Sequence, residues 1–459
     1  MYIVFDTETT GLPRDFKLSY KEVDNWPRCV QIAWQLHDET GKLIEAKDYI
    51  IRPDGYDIPY QAEQIHGIST LLAETEGVDL KKVLEEFNIA LSKSKFQVGQ
   101  NLGFDLNVMG AEFIRAGIET TMHDIPVLDT CTETTAALCQ IPGGRGGRFK
   151  LPTLTELHQH LFNDPFAEAH NASADVEATA RSFFELVRRR VFTAEDLHTD
   201  ESYFEKYEVA NPTMIQPVGL KHKNLKELSN ELSKTEEPIE KVSKKDIKEG
   251  LAQLADVSFV HLHNHSQFSI LNSTTSIKDL IKKAAEHNMP AIALTDTANM
   301  MGAFHFEKFV NAHNKTVQAE RQQAEAEGLP FDKNEITPII GCEFYVCEDH
   351  LDKRVKDNGD LIVLLAKNKN GYHNISKMAS IAFTRGKYYV PRIDKKIIEQ
   401  YKEDIIVLSG NLYGEIPNKI LNVGEKQAEE ALIWWKEQFG DDFYLEIMRH
   451  DQEDERRVN

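Results

Sequence analysis

Ile3-Val4-Phe5-Asp6-Thr7-Glu8-Thr9-Thr10-Gly11-Leu12 is the stretch whose reading decides the fold of the N-terminal part of the chain. Three apolar residues lead into Asp6 and Glu8, and in an extended strand residues i and i+2 point to the same face. The two carboxylates therefore lie side by side. Like charges so close repel, and a fold keeps such a pair with a cation between them or with one carboxyl protonated. Ligation by oxygens alone suits hard ions such as magnesium or manganese. Taken by itself, Asp-x-Glu is also compatible with a solvated strand end.

Working outward, residues 30–36 (Val-Gln-Ile-Ala-Trp-Gln-Leu) and 47–52 read as the second and third strands, with turn signals at Glu39-Thr40-Gly41 and Pro53-Asp54-Gly55. The three strands are expected to form an antiparallel meander. Leu80, Val83, Leu84, Phe87 and Leu91 fall at helical spacing over residues 79–91. Residues 96–100 read as a buried strand that gives way to a helix from Phe104, residues 153–161 as a short helix, and 174–191 as a long one. The long helix carries Val176, Ala180, Phe183, Phe184 and Val187 on its buried side.

Two further acids and a histidine stand at element junctions. Asp105 lies where the buried strand meets its helix, and an acid in an otherwise apolar run is costly to bury without a cation. A helix-start acid favoured by the macrodipole is the other reading of that position. Asp175 falls in the first turn of the long helix and His170 just before it, so both can reach the same space.

A chain of 459 residues exceeds one ordinary core and predicts two or three domains of roughly 100 to 200 residues each. No run approaches the roughly 18 apolar residues of a membrane span, and the N-terminus lacks the pattern of a signal peptide, so a cytoplasmic protein with no membrane partner is expected. The five cysteines (Cys29, Cys131, Cys139, Cys342, Cys347) include no Cys-x-x-Cys pair, which argues against a disulfide framework or a thiolate zinc site. A net charge of −21 opposes binding to phosphates, so a nucleic-acid substrate requires metals, a local basic groove or a partner to offset repulsion.

Asp6-Thr7-Glu8, the Asp105 motif and His170-x-Ala172-x-x-Asp175 occur in the order and approximate spacing of the DEDDh 3′–5′ exonucleases, a family that includes the epsilon proofreading subunit of bacterial DNA polymerase III. Residues 64–68 (Gln-Ile-His-Gly-Ile) and 150–154 (Lys-Leu-Pro-Thr-Leu) also resemble accessory segments of that family. The resemblance covers the first domain, residues 1–204, and implies a ribonuclease H-like α/β fold. It implies that Asp6, Glu8, Asp105 and Asp175 hold two Mg2+ or Mn2+ ions. It further implies that His170 takes the proton from the attacking water, and that Thr9, Leu12 and His66 line the nucleotide pocket. His66 reads equally as a turn histidine capping a backbone group. The substrate expected is a DNA 3′ end, a single strand or a mismatched primer terminus, although related exonucleases act on either DNA or RNA. The product expected is a 5′-monophosphate.

Residues 205–256 are expected to be a charged flexible linker, because residues 233–250 are dense in charge and nearly free of large apolar groups. Residues 257–459 then alternate between strand and helix: strand 258–263, helix 275–287, strand 289–295, an exposed helical excursion at 317–327 and a buried strand at 336–346. Such alternation predicts a parallel α/β sheet or barrel. His261-Leu262-His263-Asn264-His265 places alternate histidines on one face, a pattern suited to zinc or manganese.

Residues 259–266, Thr295-Asp296, 341–344, 391–394 and 409–415 together resemble the polymerase-and-histidinol-phosphatase (PHP) domain of the alpha catalytic subunit of bacterial DNA polymerase III. That resemblance implies a distorted β/α barrel with His263, His265, Glu343 and His450 at ligand positions. The departures are Leu271-Asn272-Ser273, Thr295-Asp296-Thr297-Ala298, and Leu361 (or Asp360) where a ligand histidine is expected. Asparagine is a weak ligand, and threonine and leucine cannot replace imidazole, so a degenerate Zn2+/Mn2+ site in a mainly structural domain is expected. Residues 451–459 begin a helix and stop before the barrel could close. The chain is therefore expected to be the N-terminal part of a longer polymerase, with the rest of that polymerase and a sliding clamp as partners. The alternatives are a PHP domain that also hydrolyses phosphoesters, and a non-catalytic replisome scaffold.

Overall fold

The apolar start of the first strand becomes the middle of a sheet. A computed structural model of the chain describes residues 1–164, 166, 171–233 and 257–459. It divides into two compact units, Met1–Glu237 and Pro238–Asn459. In the first, β1 (Tyr2–Thr9), β2 (Cys29–His37) and β3 (Leu43–Ile50) run antiparallel, as the meander predicts. The short helices α1 (Tyr60–His66) and α2 (Thr70–Glu76) lead to α3 (Leu80–Ser92), capped by the Asp79 side chain. Then come β4 (Phe96–Gly99), α4 (Gly103–Ala116), β5 (Val127–Asp129), α5 (Glu133–Cys139), α6 (Leu154–Phe162) and α7 (Ala172–Arg188). The sheet order is β3-β2-β1-β4-β5, with β4 and β5 parallel to β1.

Both faces of this sheet are covered, which explains why β1 is buried from Tyr2 to Phe5. Ile3 and Phe5 pack under α3 and α4 with Phe87 and Phe113, while Tyr2 and Val4 pack under α7 with Val176, Ala180 and Phe183. The period of two in the strand thus serves two cores at once.

The chain does not become a linker at residue 205. Helices α8 (Glu201–Ala210) and α9 (Leu225–Ser233) belong to the first unit, where Phe204, Tyr207 and Leu225 are buried. Residues 234–256, the remainder of the expected linker, lie outside the described residues.

In the second unit, residues 258–263 are not a strand: their backbone forms no ladder, although the His261 carbonyl accepts from Ala293 N at 3.0 Å. The elements are α10 (Ile277–Glu286), β6 (Ala291–Leu294), α11 (Ala303–Glu327), β7 (Thr337–Cys347), β8 (Asp360–Ala366), α12 (Lys369–Thr384) and β9 (Arg392–Asp394). They continue with α13 (Lys395–Tyr401), β10 (Ile405–Leu408), α14 (Glu415–Asn422), α15 (Glu425–Phe439), β11 (Phe443–Tyr444) and α16 (Glu453–Val458).

The sheet is mixed rather than wholly parallel. The long β7 runs parallel to β6 and β9 but antiparallel to β8. Gly341 begins the pairing with β8, and a Cβ there would stand 2.4 Å from the Leu364 carbonyl oxygen. Among the described residues the strands form an open sheet and no closed barrel. Arg392 is fully buried and donates to the carbonyls of Gly386, Asp357, His350 and Asp352, so this residue of the Pro-Arg-Ile-Asp segment ties loops together. No described helix is long and apolar enough to cross a membrane.

Candidate active site

The end of β1 carries Asp6 and Glu8 to the N-terminal turn of α7, where Asn171 is the cap and Asp175 lies in the first turn. Ligand oxygens of Asp6, Glu8 and Asp175 all fall within 4.8 Å of one another. Asp105, in the first turn of α4, is buried and accepts from Thr7 N at 3.0 Å and Thr7 Oγ1 at 2.6 Å. Thr7, the residue between the two acids of β1, is thus the donor that fixes the third. Its role was not legible in the sequence beyond its place in Asp-Thr-Glu.

These acids repel one another in a partly buried setting. Burial, then the charges of Asp105, Asp175 and Glu8, push the Asp6 carboxyl well above its ordinary range. Burial and the charges of Asp175 and Asp105 push Glu8 to about 8. Burial also raises Asp105 to about 7, against the lowering effect of the Thr7 hydroxyl bond. An oxygen-only set whose charge is this poorly tolerated fits hard divalent cations, which relieve the repulsion directly.

The other residues expected here fall in different surroundings. Thr9 follows a register shift in the β1–β2 ladder and donates from Oγ1 to the Gly11 carbonyl at 2.7 Å. Leu12 is 74% exposed just beyond the strand. His66 ends α1, is buried, and accepts from Ile68 N on Nδ1 at 3.1 Å, the backbone-capping geometry of a turn histidine. His170 lies outside the described residues.

A second cluster lies in the second unit. His263, His265 and Glu343 bring ligand atoms within 4.8 Å of one another, with His263 Nε2 3.2 Å from Glu343 Oε1 and His265 Nε2 3.3 Å from Glu343 Oε2. Glu446, which no sequence pattern marks, lies 2.8 Å from His263 Nδ1. Burial would depress His263, but hydrogen bonds to Glu343 and Glu446 outweigh it and raise the imidazole to about 9. Burial would raise Glu343, yet its bonds with the two histidines hold it down at about 2. Thr297, at a position of departure from the PHP pattern, donates to Glu343 Oε2 at 2.8 Å.

His450 does not join this cluster. Its side chain is 66% exposed and pairs through Nδ1 with Glu455 Oε1 at 2.6 Å. Asp296 is saturated by Ser266 N, Ser266 Oγ and Ser269 Oγ. Asp360 accepts from Asn418 at 2.6 Å, and Leu361 N bonds the Tyr413 carbonyl. The described cluster is therefore one imidazole, His263, between two carboxylates, with a second, His265, against Glu343.

Comparison with known proteins agrees with this division. Residues 3–183 match the exonuclease family model and residues 261–450 the PHP domain model. In successive segments the chain is thus similar to an exonuclease domain and to a PHP domain. Its relatives include the DNA polymerase III alpha subunits of Borreliella burgdorferi, 40% identical over 207 residues, and of Chlamydia trachomatis, 35% identical over 204. Each match covers 44% of this chain but only 16% and 15% of the relative's own length. Among solved structures, exonuclease I of E. coli in complex with an oligonucleotide is similar over 45% of each chain, at 21% identity and a TM-score of 0.36.

Proposed function

We propose that the chain is the proofreading part of a DNA polymerase III alpha-like protein, removing nucleotides from DNA 3′ ends as 5′-monophosphates, with a mainly structural PHP domain. The observation that carries the proposal is the convergence of Asp6, Glu8 and Asp175, with Asp105 buried beside them. Two divalent ions, Mg2+ or Mn2+, would be held by these four acids and, when bound, would offset charge on the attacking and leaving oxygens of the phosphodiester. Thr7 holds the Asp105 carboxylate in one orientation through two hydrogen bonds. His170, by its place in the family motif, takes the water proton, a task suited to an imidazole with an ordinary pKa of about 6.5. Thr9, Leu12 and His66 border the space for the terminal nucleotide.

In the PHP domain, the doubly bonded imidazolium of His263 fills the space between two carboxylates. This supports a structural role there, although the same cluster is the observation that favours a second hydrolytic centre. Through the family likeness, the partners proposed are a single-stranded or mismatched primer terminus, the remainder of the polymerase and a sliding clamp, in the cytoplasm.

The test is product analysis on 5′-labelled single-stranded DNA with Mg2+ or Mn2+. Stepwise shortening from the 3′ end with release of 5′-mononucleotides is expected. Early release of the 5′ label, or release of 3′-monophosphates, would sink the proposal.

A further inference from the structure

Residues 211–233 run beyond the part of the chain matched by the exonuclease family, yet they grip the first turns of α7, which carry Asp175, and the turn that follows His66. Glu177, buried on α7 one turn from Ser173, accepts from Gly219 N at 2.6 Å, Leu220 N at 3.2 Å and His222 Nε2 at 3.0 Å. The other ring nitrogen of His222 lies 2.9 Å from Ser173 Oγ. One imidazole thus staples residues four apart on the two turns that carry Asp175. Next along the chain, the Lys223 carbonyl accepts from Asn171 Nδ2 at 2.9 Å, holding the residue that caps α7 and directly follows His170.

The same segment then reaches the turn after α1. Leu225 is buried with Ile58, Ala62, Ile68 and Leu72. Ser229 Oγ donates to the Gly67 carbonyl at 2.7 Å and accepts from Ser69 N at 3.1 Å. Gly67 has a φ of +78°, and a Cβ there would stand 2.7 Å from Lys226 N, so α9 lies directly against the turn that follows His66.

We propose that residues 211–233 are a positioning strap of the exonuclease site, in which His222 fixes the first turns of α7 and Ser229 fixes the turn after His66. The proposal rests on the function proposed above. His222 acts through α7 on Asp175, so its loss lowers turnover; Ser229 acts through Gly67 on the wall of the nucleotide pocket, so its loss weakens substrate binding. A strap that merely stabilised the fold would instead change the folded fraction and leave the folded enzyme's kinetics alone.

The test compares His222→Ala, His222→Gln and Ser229→Ala in the full chain, at a temperature where thermal melting shows each to be folded. Steady-state kinetics on single-stranded DNA are read beside amide hydrogen exchange. Loss of such an outer-layer partner is expected to lower kcat roughly 10- to 100-fold in His222→Ala. KM is expected to hold and exchange to quicken at residues 171–179. His222→Gln, whose amide can donate to Glu177, recovers most of kcat. Ser229→Ala raises KM severalfold at unchanged kcat, with faster exchange at residues 66–69. If the wild-type chain hydrolyses no DNA, the functional reading fails and the exchange pattern alone decides the strap. Unchanged exchange in both alanine variants, or kinetic losses that only track the unfolded fraction, overturns it.

Discussion

At the scale of single residues, Asp6 is held against its own electrostatics: it is half-buried and faces three further carboxyls. The arrangement is explicable as a cation site and costly without the cation. Asp6→Asn keeps the shape and removes one of the repelling charges. In chelator-treated protein it is expected to raise the stability of the first unit by about 1–2 kcal/mol while abolishing nuclease activity. A lower melting temperature than wild type would contradict the like-charge account. His37 shows the opposite solution, a buried neutral group. Its Nδ1 lies 3.0 Å from the Gly41 carbonyl oxygen and its Nε2 2.9 Å from Gln35 Oε1, and burial pushes the imidazole down to about 4. The unfolded chain takes up that proton near pH 6.5, as ordinary histidine does, and the folded chain only near pH 4. Stability from the buried neutral ring is therefore full above about pH 6.5 and is lost as pH falls from there towards 4. Between about pH 7.5 and 5, wild type is expected to lose about 2 kcal/mol more than His37→Gln in parallel denaturant melts. Parallel losses would show that His37 is not neutral when folded.

At the scale of elements, what was legible is what local spacing controls. The period of α3 and α7 and the acid-tipped apolar run of β1 identified elements that lie within a few residues of their expected bounds. The third strand was expected at residues 47–52 but spans Leu43–Ile50, because its residues alternate between half-buried and exposed and offer no apolar run to mark its start. Residues 258–263 look like a strand by composition, yet no ladder forms there. α11 extends far ahead of its expected excursion, beginning at Ala303 with a cluster of phenylalanines that helical periodicity alone does not separate from a strand. Residues 205–233 fall within the expected linker only by extension from the charge-dense residues 233–250, whereas Leu225 and Ser229 find partners in the folded first unit. The same limit applies to the sites. Asp6, Glu8 and Asp175 are recognisable from motif spacing, and the fold gathers them. Glu446 meets His263 across 183 residues of chain, and Ser229 meets Gly67 across 162, contacts that no local pattern announces.

At the scale of the whole molecule, the chain has a net charge of −21 and spans about 15–16% of the relatives it matches. The charge leaves little general attraction for nucleic acid, so under the proposed function grip on DNA would fall to metal-bridged phosphates at the carboxylate cluster and to partners. Its two units each hold a cluster of metal-ligating groups, but of opposite character. The acids of the first are pushed towards neutrality by desolvation and then by mutual repulsion, whereas the second is already balanced by a His263 imidazolium between Glu343 and Glu446. The central claim is that the chemistry belongs to the first. Its most direct test is the rate of 3′-end shortening of 5′-labelled single-stranded DNA by the full chain, beside Asp175→Asn and His263→Ala, each verified as folded. The account predicts activity abolished in Asp175→Asn and retained in His263→Ala. Activity retained in Asp175→Asn and lost in His263→Ala would contradict it and move the chemistry to the second unit.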